Sequence, residues 1–150
     1  MSLQDKLNHD LKEAMKAGNS NKVGVLRMLN ASLQNRQIEK GKDAVLTDED
    51  MLQVLTREAK KRKESVEAFI KGDRPELAEK EKLELLIVEA YLPKQMSREE
   101  VVAEVEKIIV TLRQARGNIV FNNIMKAVMA ELKGKADGKV ISEIVKEKLS

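Results

Sequence analysis

Only two prolines, Pro75 and Pro93, interrupt a chain of 150 residues, and between them apolar side chains recur at three- and four-residue spacing. Such spacing gathers the apolar groups on one side of a helix, whereas a strand would need strict alternation. Leu3, Leu7, Leu11 and Met15 mark a first helix that ends near Gly18, with Ser2 placed to cap it. Asn19 or Ser20 can cap a second, which carries Val23, Leu26, Leu29 or Asn30, and Leu33, and runs to Lys40 before Gly41. Thr47 followed by Asp48, Glu49 and Asp50 puts an oxygen cap and negative charge where a helix dipole favours them. That helix keeps Leu52, Leu55, Ala59, Val66, Phe69 and Ile70 near one stripe and closes at Gly72. Pro75 opens a fourth, whose run Leu85, Ile87 and Val88 around Leu86 covers more than one face, so it is expected to be the most buried helix of the N-terminal part.

Pro93 disfavours helical geometry at Leu92, and Ser97 with Glu100 forms a capping-box pattern. These signals predict an all-α protein: a larger N-terminal helical domain of about four helices, residues 1–94, followed by a C-terminal three-helix bundle, residues 97–150. The last three helices carry Val101, Val105, Ile108 and Leu112; then Phe121, Ile124, Met125, Val128 and Leu132; then Val140, Ile141, Ile144, Val145 and Leu149.

The composition removes several kinds of chemistry. There is no cysteine and one histidine, His9, so thiolate metal sites and cysteine nucleophiles are absent, and His9 is expected to be a surface residue. No catalytic residue, metal site or cofactor is expected. Glu76, Glu79, Glu81 and Glu84 sit at helical spacing beside lysines and read as a solvated face. No apolar run is long enough to span a membrane, and the N-terminus mixes Asp5, Asp10 and Glu13 with its lysines. It reads as neither signal peptide nor anchor nor transit peptide, and the expected location is cytoplasmic.

Charge is uneven along the chain. Between Arg113 and Lys139, six basic residues face two acidic ones, whereas the whole chain carries only +3. The basic residues are Arg113, Arg116, Lys126, Lys133, Lys135 and Lys139, and a concentration of this kind on a small helical module is the footprint of contact with a nucleic-acid backbone. Within it, Glu131 to Lys139 contains Gly134 and Gly138 but lacks the glycine spacing of a phosphate-binding Walker loop. Gly134 can end one helix in the left-handed conformation and Asp137 can cap the next, which makes a tight connection an equally direct account. A second basic run, Arg57, Lys60, Lys61, Arg62 and Lys63, wraps around its helix and reads as either solubilising charge or a binding surface. Phe121 is the only aromatic residue near either region, so base stacking is not expected, whereas shape and phosphate recognition would need none.

The segments Glu58 to Val101, containing YLPKQMS, and Ile124 to Leu149, containing KGKADG, closely resemble the YqeY-like family, and Arg27 to Lys42 is similar to it as well. That family is related, through its C-terminal part, to the tail domain of the B subunit of the glutamine-dependent aspartyl/glutamyl-tRNA amidotransferase. The resemblance implies an accessory tRNA-binding module, itself non-catalytic, associated with carbon–nitrogen ligase systems that use glutamine as amido donor. On that likeness Lys133, Gly134, Lys135, Ala136, Asp137 and Gly138 match the tail's turn, and Lys139 and the neighbouring basic residues become tRNA contacts. The family's Met-Gly-Lys-Val-Met-Gly pattern is replaced here by Phe121 to Lys126 without its glycines. The change either weakens that contact or shifts it onto Asn122, Asn123 and Lys126. The alternative is a protein–protein adaptor that docks on an amidotransferase or an aminoacyl-tRNA synthetase without touching RNA.

Overall fold

A hydroxyl or carboxamide at a helix start satisfies an amide that would otherwise lack a partner, and each such cap contributes about 1 kcal/mol. In a computed structural model that describes residues 2–150, Ser2 accepts from the Asp5 amide at 3.1 Å and opens α1, Leu3–Lys16. Asn19 accepts from the Lys22 amide at 3.2 Å and opens α2, Ser20–Lys40. Thr47 and Asp50 exchange reciprocal bonds of 3.1 and 2.9 Å at the start of α3, Asp48–Lys71. Pro75 is the first residue of α4, Pro75–Glu89, where its missing N–H costs nothing. Ser97 accepts from the Glu100 amide at 3.2 Å ahead of α5, Arg98–Gln114, and α6, Phe121–Leu132, and α7, Gly138–Leu149, follow. The described residues hold seven helices and no strand, so the protein is all-α.

The chain divides into two compact units at Leu92 and Pro93. In the first, Leu7 of α1, Val25, Leu26, Leu29 and Leu33 of α2, Leu55 of α3 and Val88 of α4 are buried together. Removing each such side chain from water contributes roughly 1.5–3 kcal/mol. The expectation that α4 is the most buried helix is corrected: only Ala78 and Val88 of α4 are buried, while Leu86 is 65% exposed. Four successive apolar residues point to more than one side of a helix, and here Val88 is buried, Leu85 and Ile87 are half-buried and Leu86 is exposed. Within the first unit α2 buries the most apolar residues, four.

The stripe expected along α3 also changes character. Leu55 and Ala59 are buried and Leu52 is half-buried, yet Asp50, Glu58 and Arg62 are buried beside them and Ile70 is exposed. Arg62 reaches α4, where it pairs with Glu81 at 3.2 Å and with Glu84. The reading of those glutamates as a solvated face is therefore corrected, since their side chains are 22% and 16% exposed. Arg62 likewise leaves the solvated run of α3.

Asp50 gathers charge at the junction of α2 and α3. The Lys40 ammonium, the amide and hydroxyl of Thr47, and Arg36 at 3.2 Å hold its carboxyl well below the usual carboxylate range. A carboxyl whose pKa is depressed on folding stabilises the protein fully above its ordinary value of 3.8 and loses that contribution as pH falls toward the folded value. Urea denaturation at a series of pH values is expected to show stability dropping below that point. Asp50→Asn should be less stable at neutral pH and show a flatter acid limb; parallel acid limbs would assign the loss to other carboxylates.

In the second unit, α5, α6 and α7 each pack against the other two. Its core takes Val101, Val105 and Ile109 from α5, Ile124, Val128 and Leu132 from α6, and Ile141, Ile144 and Val145 from α7. Ile109 lies deeper than the expected Ile108 and Leu112, which are half-buried.

Candidate nucleic-acid interface

The α6–α7 turn is built from backbone bonds. After α6 ends at Leu132, Gly134 adopts φ +76°, a left-handed conformation that costs other residues roughly 1–2 kcal/mol. The Lys135 amide then bonds back to the Leu132 carbonyl at 2.9 Å, and Asp137 caps α7 by accepting from the Lys139 amide at 2.9 Å. Two bonds from the start of the unit complete the turn. The Gln95 side-chain amide donates to the Gly134 carbonyl, and the Met96 amide donates to the Lys135 carbonyl, both at 2.8 Å.

This arrangement buries Gly134 and leaves Lys133, Lys135 and Lys139 exposed, with Asp137 half-buried. Because Asp137 is occupied at the N-terminus of α7, where the dipole favours its charge, the turn presents a predominantly positive surface. Gly138, the first residue of α7, is half-buried and lies outside the left-handed region, and a Cβ there would meet no atom within 4 Å. Neither backbone geometry nor packing calls for glycine at this place, and the bare main chain stays open to close approach.

The remaining sequence-derived residues fall in two places. Arg113, in the last turn of α5, and Arg116, Asn122 and Asn123 are exposed near the α5–α6 turn. Arg116 itself adopts φ +55°, and Asn123 donates to the Asn118 carbonyl at 3.4 Å, so these two shape the turn as well as its surface. The 12 residues of α6 extend about 18 Å, which separates this group from Lys133, Lys135 and Lys139. Asn122 and Lys126, four residues apart, share one exposed side of α6, and exposed Lys133 follows just past its end. Phe121 packs against the core with Lys146 Nζ 5.8 Å from its ring centre, and no other aromatic residue lies in this unit.

Sequence reasoning missed Gln95 and Met96 as parts of the turn. Their signal was present, since both belong to the YLPKQMS segment, but nothing in a linear reading says that it touches KGKADG. Among the described residues no group of three or more metal-ligating side chains comes together, and no helix is long and apolar enough to cross a membrane.

The fold and this turn define an all-helical protein whose second unit carries an exposed basic surface. The chain belongs to the YqeY-like family: the family described as Yqey-like protein matches it over residues 4–149. A Kluyveromyces lactis protein named Altered inheritance of mitochondria protein 41, mitochondrial, is 35% identical over 135 residues, covering 85% of this chain and 72% of that protein. Proteins of the same name are similar in Eremothecium gossypii, at 30% identity over 74% of this chain, and in Vanderwaltozyma polyspora, at 27% over 81%. The chain spans 61% and 66% of the length of those two relatives. Their names correct the cytoplasmic expectation, because they point to mitochondria for these proteins. The features used for that expectation, the lack of a long apolar run and the acidic residues near the N-terminus, do not discriminate between the two compartments.

Proposed function

We propose that the protein is a non-catalytic accessory module of tRNA-dependent amidotransferase systems, and that it holds tRNA through its second unit. In this reading the first four helices are a scaffold, and α5–α7 form the three-helix bundle that resembles the amidotransferase tail. The observation that carries it is the α6–α7 turn: three exposed lysines, 133, 135 and 139, stand around a main chain held by Gln95 and Met96. A turn fixed before binding loses little conformational freedom on meeting a phosphate backbone. The scarcity of aromatic side chains favours recognition of a folded RNA by shape over readout of unstacked bases.

The test is tRNA binding by the purified protein across a salt series, with a duplex RNA of equal charge as competitor. The expected result is affinity that falls steeply with salt and resists the duplex. Absence of binding near physiological salt would overturn the reading. It would favour the adaptor alternative, which has its own observation: Leu83 and Leu86 of α4 are 54% and 65% exposed. Co-purification with an amidotransferase or synthetase that survives nuclease treatment would support that alternative.

A further inference from the structure

Beside the apolar seam of the first unit, α2 and α3 face each other along a second stripe. Positions 32, 35, 36 and 39 of α2 and 54, 57, 58 and 61 of α3 line a cleft of about 150 Å³. The spacing is that of a buried helix–helix seam, yet every position except Val54 is polar or charged. Each carboxylate in the cleft has a cation beside it. Glu58, 7% exposed, accepts from the Ser32 hydroxyl at 3.1 Å and faces Lys61 at 3.5 Å, while Glu39 pairs with Arg36 at 3.3 Å.

The donors are in surplus. Arg36 spends its terminal nitrogens on Asp50 and Glu39, and its buried Nε has no partner among the described residues. The Arg57 guanidinium and the Asn35 amide, both exposed in the cleft wall, likewise make no hydrogen bond or ion pair among the described residues. A cleft that offers unpaired guanidinium and amide donors, with its own carboxylates occupied, calls for a ligand that brings acceptor oxygens and negative charge. Its volume of about 150 Å³ is enough for a group of about six heavy atoms.

We propose that this α2–α3 cleft binds the oxyanion group of a small ligand, a carboxylate or a phosphate, with Arg57 and Asn35 as donors. The site lies in the first unit and does not depend on the RNA reading. The test is titration of the full-length protein, followed by amide NMR, with sodium phosphate, sodium succinate and, at matched ionic strength, sodium chloride. Saturable shifts confined to the cleft stretches of α2 and α3 are expected with phosphate or succinate, and the stronger of the two identifies the group recognised. Arg57→Gln should weaken that binding roughly tenfold or more. Lys60→Gln, at an exposed position outside the cleft, should leave it unchanged. Equal shifts with chloride, or equal affinity in Arg57→Gln, would overturn the assignment.

Discussion

Arg62→Ala is expected to destabilise the first unit by about 3–5 kcal/mol, the usual cost of removing one partner from a buried ionic cluster. The Arg62 side chain is 9% exposed and lies between Glu81 and Glu84 of α4, with one terminal nitrogen 3.5 Å from the Met28 sulfur of α2. Truncation would leave two largely buried carboxylates, 22% and 16% exposed, facing a cavity without their counterion. Small domains are stable by only about 5–15 kcal/mol, so the variant would sit close to unfolding at room temperature. The measurement is urea denaturation of the whole chain, with resonances of residues 2–92 reporting the first unit. Arg62→Met combined with Glu81→Gln and Glu84→Gln should recover much of the stability, because no buried charge then lacks a counterion. A change below about 1 kcal/mol for Arg62→Ala would mean that the three groups behave as exposed ion pairs.

Charge reversal at Lys133, Lys135 and Lys139 together is expected to lower tRNA affinity by roughly a hundredfold or more, since it removes phosphate neutralisation and adds repulsion at the same turn. The slope of log affinity against log salt should shrink by roughly two to three units, about 0.7–0.9 for each phosphate no longer neutralised. All three side chains are exposed, and the turn's main chain is held by Gln95, Met96 and Asp137, so an unchanged helical spectrum should accompany the weaker binding. Unaltered affinity would refute the turn as the place where RNA binds. Reversing Arg113 and Arg116 in a parallel variant reports whether the RNA reaches along α6, because these residues lie at its other end.

The helices and their ends were legible in the sequence because caps are local. Ser2, Thr47, Ser97 and Asp137 each bond to an amide two or three residues away, within reach of any linear reading. What escaped is tertiary. The bonds from Arg62 to α4 span 19 and 22 residues, and the periodicity of α3 cannot tell a solvated arginine from one that meets two glutamates. The run around Leu86 failed for a related reason: an apolar residue is buried only where a neighbour covers it. At the candidate interface the residue types of the turn, its left-handed glycine and its aspartate cap were all readable. The division of the basic residues between two ends of α6, and the bracing by Gln95, required the folded chain.

The bonds from residues 95 and 96 to the turn bear on how this protein can diverge. The Gln95 bond joins positions 39 residues apart in sequence, and its neighbour is purely main chain, from the Met96 amide to the Lys135 carbonyl. A main-chain bond is indifferent to the side chains at its ends but sensitive to the number of residues around them. Substitution at 135, or at 96 by any residue except proline, therefore leaves it in place, while a single inserted or deleted residue in either segment breaks the pairing. Relatives that keep the turn should vary in residue identity at these two places and agree in length.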